Sequence, residues 1–128
     1  MSNELILIVE DDEKSRRLLR DVLQVKGYQT VESESAEEGL RLVNAQRPAL
    51  ILMDIRLPGM SGIDALKVLR AQDDTQAIPV IAVTASVMNQ QQSEVLAAGF
   101  DGLERKPISI VSLLKTMRQL LDRTGAVT

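Results

Sequence analysis

Short uninterrupted apolar runs alternate along the chain with longer stretches whose apolar positions recur every three or four residues. Leu5–Val9 is the first run, β-prone and followed at once by acids. Leu18, Leu19, Val22 and Leu23 then repeat at helical spacing and stop at Gly27, a residue type suited to the left-handed position after a helix. Residues 28–31 read as a short strand. Ser35 followed by Glu38 has the spacing of a capping box and predicts a helix from there to about Gln46. Residues 49–53 form a second apolar strand, and Pro58, Gly59 and Gly62 mark the loop behind it. A helix is expected over about 63–71, a strand over 80–83 after Pro79, and a helix over 87–98 ending at Gly99. A weak strand is expected over 102–105. Ile110, Leu113, Leu114, Met117, Leu120 and Leu121 then draw the apolar stripe of a last helix, with 123–128 expected to fray.

Five strand–helix units with continuous strands describe an α/β fold whose parallel sheet is covered on both faces. The 128 residues suffice for one domain, and no repeat or linker divides them, so a single domain over 1–128 with no output domain is expected. A 45% apolar and 26% charged composition excludes disordered and fibrous classes. The net charge of −3 argues against direct nucleic-acid binding, which needs a concentrated basic face. No apolar run approaches the roughly 20 residues of a membrane helix and no leader is evident, so a cytoplasmic location without membrane insertion is expected.

The absence of Cys and His narrows the chemistry further. It removes thiolate and imidazole catalysis, disulfides and the common zinc sites. What remains is carboxylates, hydroxyls, lysine and a hard cation. Their positions carry the information: Glu10, Asp11 and Asp12 follow the first strand, Asp54 the third, Thr84 the fourth and Lys106 the fifth. In an open parallel sheet those strand ends share one edge, where ligands bind. Each residue has a plain structural alternative. Asp12 could cap a helix, Asp54 could serve a turn, Thr84 could cap the next helix, and Lys106 could be a solvated turn residue. Their agreement on one edge favours a site. Clustered carboxylates repel one another unless a cation joins them, and an oxygen-only set suits Mg²⁺. A carboxylate in that setting can accept a phosphoryl group, with Lys106 and Thr84 placed to hold its oxygens and the small Ala85 leaving the approach open.

The runs Ile8-Val9-Glu10-Asp11, Leu52-Met53-Asp54 through Pro58-Gly59-Met60-Ser61-Gly62, Val83-Thr84-Ala85 and Lys106-Pro107 resemble the receiver domain of two-component response regulators. The resemblance covers nearly the whole chain and is nearest the stand-alone, DivK-like subgroup. It implies a flavodoxin-like, doubly wound five-stranded sheet in the order 2-1-3-4-5 with five helices. It further implies that Asp54 is the phosphoacceptor, and that Asp11, Asp54, the Arg56 backbone carbonyl and, through water, Glu10 serve Mg²⁺. Thr84 and Lys106 would hold the phosphoryl oxygens, with a cis bond between Lys106 and Pro107. The implied partners are a sensor histidine kinase or a histidine phosphotransfer protein, and a downstream protein target. Such a chain is a signalling phosphoacceptor and not an enzyme, limited to its own phosphorylation and dephosphorylation. Many receivers carry Tyr or Phe three residues before the lysine, where this chain has Leu103. Output is therefore expected to depend on displacement of residues 84–89 more than on a side-chain flip at Leu103.

Three rival readings fare less well. A flavodoxin-like nucleotide or flavin binder would need a phosphate loop after the first strand, and that loop is acidic here. A Mg²⁺-dependent aspartyl-phosphate hydrolase would carry a second Asp two residues after the nucleophile, where Arg56 stands. An unphosphorylated adaptor of the same fold has no use for the full set of acids, Thr84 and Lys106.

Overall fold

The computed structural model describes residues 3–85 and 95–125. Its order is β1 (Leu5–Val9), α1 (Glu13–Val25), β2 (Gln29–Ser33), α2 (Ala36–Gln46), β3 (Leu50–Asp54), α3 (Gly62–Ala71) and β4 (Val80–Thr84). A helical stretch at 95–97, labelled α4, is followed by β5 (Gly102–Arg105) and α5 (Ile110–Gly125). All four strand pairings are parallel, and the sheet order is β2-β1-β3-β4-β5. The chain steps from β1 outward to β2, then returns across β1 to β3. This reversal puts a crevice between the carboxyl ends of β1 and β3.

Alternation along the central strands divides the core into two layers. Ile6, Ile8, Leu52 and Val83 face α1 and α5, where they meet Leu19, Leu23, Leu113 and Met117. Leu7, Val9, Ile51, Met53 and Ala82 face the other way, against Val43, Leu66, Leu69 and Val95. Each such fully buried aliphatic side chain contributes about 1.5–3 kcal/mol relative to exposure. β3 and β4 are buried at every position, which explains why they read as unbroken apolar runs. The edge strands β2 and β5 are only partly covered, and their sequences are correspondingly mixed.

The helix ends follow local chemistry. Gly27 takes φ +94° after α1, and the Gly27 and Tyr28 amides donate to the Gln24 and Leu23 carbonyls at 3.0 Å each. That is the paired closure of a Schellman motif. Tyr28 is therefore part of the helix stop, and β2 begins one residue later than expected and runs to Ser33. Ser35 caps α2 by accepting from the Glu38 amide at 3.2 Å. The Ser35 amide, however, donates to the Ser33 hydroxyl at 3.2 Å instead of to the Glu38 carboxylate. The last helix continues through residue 125, so the fraying expected from residue 123 does not begin there. Of the helix expected over 87–98, residues 87–94 lie outside the described residues.

Candidate functional site

The residues expected to carry chemistry stand where β1, β3, β4 and β5 end. Glu10 is the first residue after β1 and is 1% exposed. Its amide extends the ladder to the Ser33 carbonyl at 3.0 Å, and its Oε2 accepts the Asp12 amide at 3.1 Å. Asp11 follows, exposed at the rim. Asp12 has the other role that its position allows: it is the N-cap of α1, accepting from the Ser15 amide at 2.9 Å. That hydrogen bond holds the Asp12 carboxyl below the usual carboxylate range.

Asp54 closes β3 and is 5% exposed, its Oδ1 accepting the Arg56 amide at 3.0 Å. Thr84 closes β4 and is also buried. Lys106 follows β5, and its amide donates to the Thr84 carbonyl at 2.7 Å, so these two residues are joined through backbone. Its Nζ reaches the Glu10 Oε1 at 2.6 Å and Asp54 Oδ2 at 3.2 Å. Lys106 is thus the counter-charge of two buried carboxylates and not a solvated turn residue. The peptide bond from Lys106 to Pro107 is cis.

The loop behind Asp54 folds tightly against it. Ser61 caps α3, and the Gly62 amide donates to the Ile55 carbonyl at 3.0 Å. A Cβ on Gly62 would lie 2.3 Å from the Asp54 carbonyl oxygen and 2.9 Å from the Ile55 Cα. Only glycine allows this approach, which carries α3 directly beneath the phosphoacceptor candidate.

Electrostatics follow from burial and proximity. Burial pushes the Glu10 carboxyl above its ordinary value, with the Lys106 ammonium opposing and the Asp54 carboxylate reinforcing the shift. Burial alone would lower Lys106, but its contacts with Glu10 and Asp54 outweigh that and hold it above its ordinary value. Although Glu10 Oε1 is at ion-pair distance from Nζ, it accepts no well-aligned hydrogen bond among the described residues. Glu10, Asp11 and Asp54 can each offer one oxygen such that all lie within 4.8 Å of one another. An anionic, oxygen-only set of three carboxylates balanced by one ammonium fits a hard divalent cation and could hold one.

Of the residues expected at the site, Glu10, Asp11, Asp54, Thr84 and Lys106 converge. Arg56 is exposed and meets Asp54 through its amide. Ala85 is exposed beside Thr84, and Leu103 is partly buried against the layer that contains Val95 and Phe100. Residues 86–89 of the segment expected to move lie outside the described residues. Two contributors escaped the sequence reading. Gly62 registered only as a loop marker. Arg16, which donates to the Glu10 carbonyl at 3.0 Å, looked like one more charge on a helix surface.

The doubly wound sheet with acids, a hydroxyl and a lysine at its carboxyl edge is the arrangement of a signalling receiver, and residues 6–118 match the response regulator receiver domain family, to which this chain belongs. It is 39% identical over 116 residues to the polar-differentiation response regulator DivK of Brucella anthropi, covering 91% of this chain and 94% of that protein. The DivK of Brucella abortus is 38% identical over the same shares. Among solved structures, the receiver domain of the Francisella response regulator 1452 superposes with a TM-score of 0.89 at 30% identity, covering 95% of this chain and 99% of that one. The chemotaxis response regulator CheY4 of Vibrio cholerae gives 0.86 at 26% identity, over 92% and 98% of the two chains. The family is one of signalling receivers, not of classical enzymes, and generally binds Mg²⁺. No helix among the described residues is long and apolar enough to cross a membrane.

Proposed function

We propose that Asp54 accepts a phosphoryl group from a histidine kinase or a histidine phosphotransfer protein, and that the modified chain signals by binding a downstream protein target. The observation that carries this reading is the Lys106 ammonium poised between Glu10 and Asp54 at the end of β5. A carboxylate ending a strand buried at every position, with a cation beside it, is equipped to receive a charged group rather than to pack.

Glu10, Asp11, Asp54 and the Arg56 carbonyl would hold Mg²⁺, which supplies charge neutralisation for the transferring group when bound. An Asp54 oxygen attacks phosphorus, the bond from phosphorus to the donor breaks, and the donor leaves with the electron pair. Lys106 pairs with one phosphoryl oxygen, and the Thr84 hydroxyl donates to another. Their backbone link fixes the spacing between these two donors. Ala85 keeps the approach to Asp54 free of bulk. The chain's own turnover is confined to its phosphorylation and its dephosphorylation, and the reading assigns it to the cytoplasm with no direct nucleic-acid contact.

Incubation with acetyl phosphate and Mg²⁺, read by intact mass, tests the proposal. The parent should gain one phosphoryl group and Asp54→Asn none. Equal labelling of both proteins overturns the assignment.

A further inference from the structure

Arg16 is the fourth residue of α1, yet its side chain is only 12% exposed. Its three guanidinium nitrogens meet three separate oxygens. NH1 donates to the Glu10 backbone carbonyl at 3.0 Å, Nε pairs with Glu32 Oε1 at 3.3 Å, and NH2 pairs with Glu34 Oε1 at 3.4 Å. Glu34 is largely solvated and adds little, whereas Glu32 is mostly covered and is also approached by Arg20 at 3.7 Å. The fork therefore joins α1, the end of β2 and the turn after β1.

The Glu10 carbonyl belongs to the peptide that leads into Asp11, so its direction sets where the Asp11 side chain emerges. On the other side of Glu10, the amide is already fixed to the Ser33 carbonyl at 3.0 Å. The Glu10 side chain is held by the Asp12 amide and Lys106, and Arg16 restrains the carbonyl; without it a covered carbonyl loses its charged donor. We propose that Arg16 is a positioning residue that fixes the acidic turn at residues 10–12 in the arrangement that binds a divalent cation. This rests on the reading of Glu10, Asp11 and Asp54 as metal ligands.

The sign of the effect separates this role from simple electrostatics. Arg16 is a cation near an acidic cluster, so through its field alone its removal would tighten Mg²⁺ binding. Positioning predicts the opposite. The test is calorimetric titration of Mg²⁺ into the full chain, with urea unfolding in parallel to establish that each variant is folded. Arg16→Met should weaken Mg²⁺ binding about tenfold, the scale typical for groups that orient metal ligands. Arg16→Lys keeps the charge but not the planar fork and should fall between the two. Glu32→Gln loosens Arg16 and should weaken binding about threefold in the parent but not further in Arg16→Met, because the two act as one unit. Parent-like or tighter binding in folded Arg16→Met or, should that variant not fold, in Arg16→Lys overturns the proposal. An equal effect of Glu32→Gln in both backgrounds does so as well. Absence of Mg²⁺ binding by the parent would instead remove the metal-site reading on which the proposal rests.

Discussion

Replacing Gly62 by alanine should damage both the fold and the chemistry, because the added carbon has nowhere to go. It would lie 2.3 Å from the Asp54 carbonyl oxygen, against backbone that no rotamer change can move. Reaching even a 3.0 Å contact requires a displacement of about 0.7 Å, shared between the start of α3 and the Asp54–Ile55 peptide. Overpacking of this kind costs about 1–3 kcal/mol. Alanine's better helix propensity returns at most about 1 kcal/mol, and less at the first helical position. A net loss of about 1–2 kcal/mol, divided by an unfolding entropy of about 2.1 cal/mol/K per residue over the chain's 128 residues, lowers Tm by about 4–7 °C. Asp54 shifts with its own peptide, and a misplacement approaching 1 Å can slow a reaction by about a hundredfold. Phosphorylation by acetyl phosphate should therefore slow by at least about tenfold at a temperature where the variant is fully folded. Thermal unfolding and timed intact-mass labelling measure the two effects. A Gly62→Ala protein that melts with the parent and labels at its rate would refute the claim that this close approach positions Asp54.

Mg²⁺ should stabilise the parent by about 2.7 kcal/mol at one hundred times Kd, and Asp11→Ala should abolish most of that gain while leaving metal-free stability unchanged or higher; a parent Tm indifferent to Mg²⁺ contradicts this. Lys106→Met should lower metal-free stability by a few kcal/mol, since it strands two buried carboxylates, yet tighten Mg²⁺ binding, because Nζ no longer competes for Glu10 Oε1 and Asp54 Oδ2; weaker Mg²⁺ binding in a folded variant would count against that competition. Burial acts to raise Glu4, but backbone hydrogen bonds and the Arg118 guanidinium prevail and hold it below its ordinary 4.5. Its stabilisation is then present above pH 4.5 and lost as pH falls through the lower folded value, so Glu4→Gln should flatten the acid side of the stability profile; an unchanged profile means Glu4 contributes nothing.

The strands and most helix boundaries were legible because burial leaves a periodic trace. β3 and β4, covered on both sides, had to be apolar throughout, and Gly27 marked a left-handed stop that the Schellman bonds confirm. Glu10, Asp11, Asp54, Thr84 and Lys106 were legible because each ends a strand or lies within two residues of its end, and parallel topology carries such positions to one edge. Contacts between distant residues left no comparable trace. Even locally the spacing was incomplete: the Ser33 hydroxyl, only two residues away, takes the Ser35 amide and displaces Glu38 from half of the capping box. Arg16 has the spacing of an exposed helical charge, and its interior role appears only once β2 lies beside β1 and brings Glu32 within reach.

The same distinction explains why a lysine belongs in this site. Glu10 and Asp54 are buried at the ends of adjacent strands, so their repulsion acts through weakly screening surroundings. One ammonium balances one of them, and its 2.6 Å and 3.2 Å contacts draw on both. With all three carboxylates ionised, the cluster of Glu10, Asp11, Asp54 and Lys106 carries a net charge of −2, the charge that one divalent cation cancels. Replacing Lys106 by a neutral residue would make it −3, costly when empty and overly attractive to cations. Replacing Asp11 would leave −1 and remove one of the three carboxylate oxygens, weakening the draw on a divalent ion. The raised Glu10 carboxyl registers the same strain from the protein's side, since a site short of positive charge favours the protonated acid. Lysine at position 106 therefore keeps this edge foldable while leaving the net negative charge that draws a divalent cation.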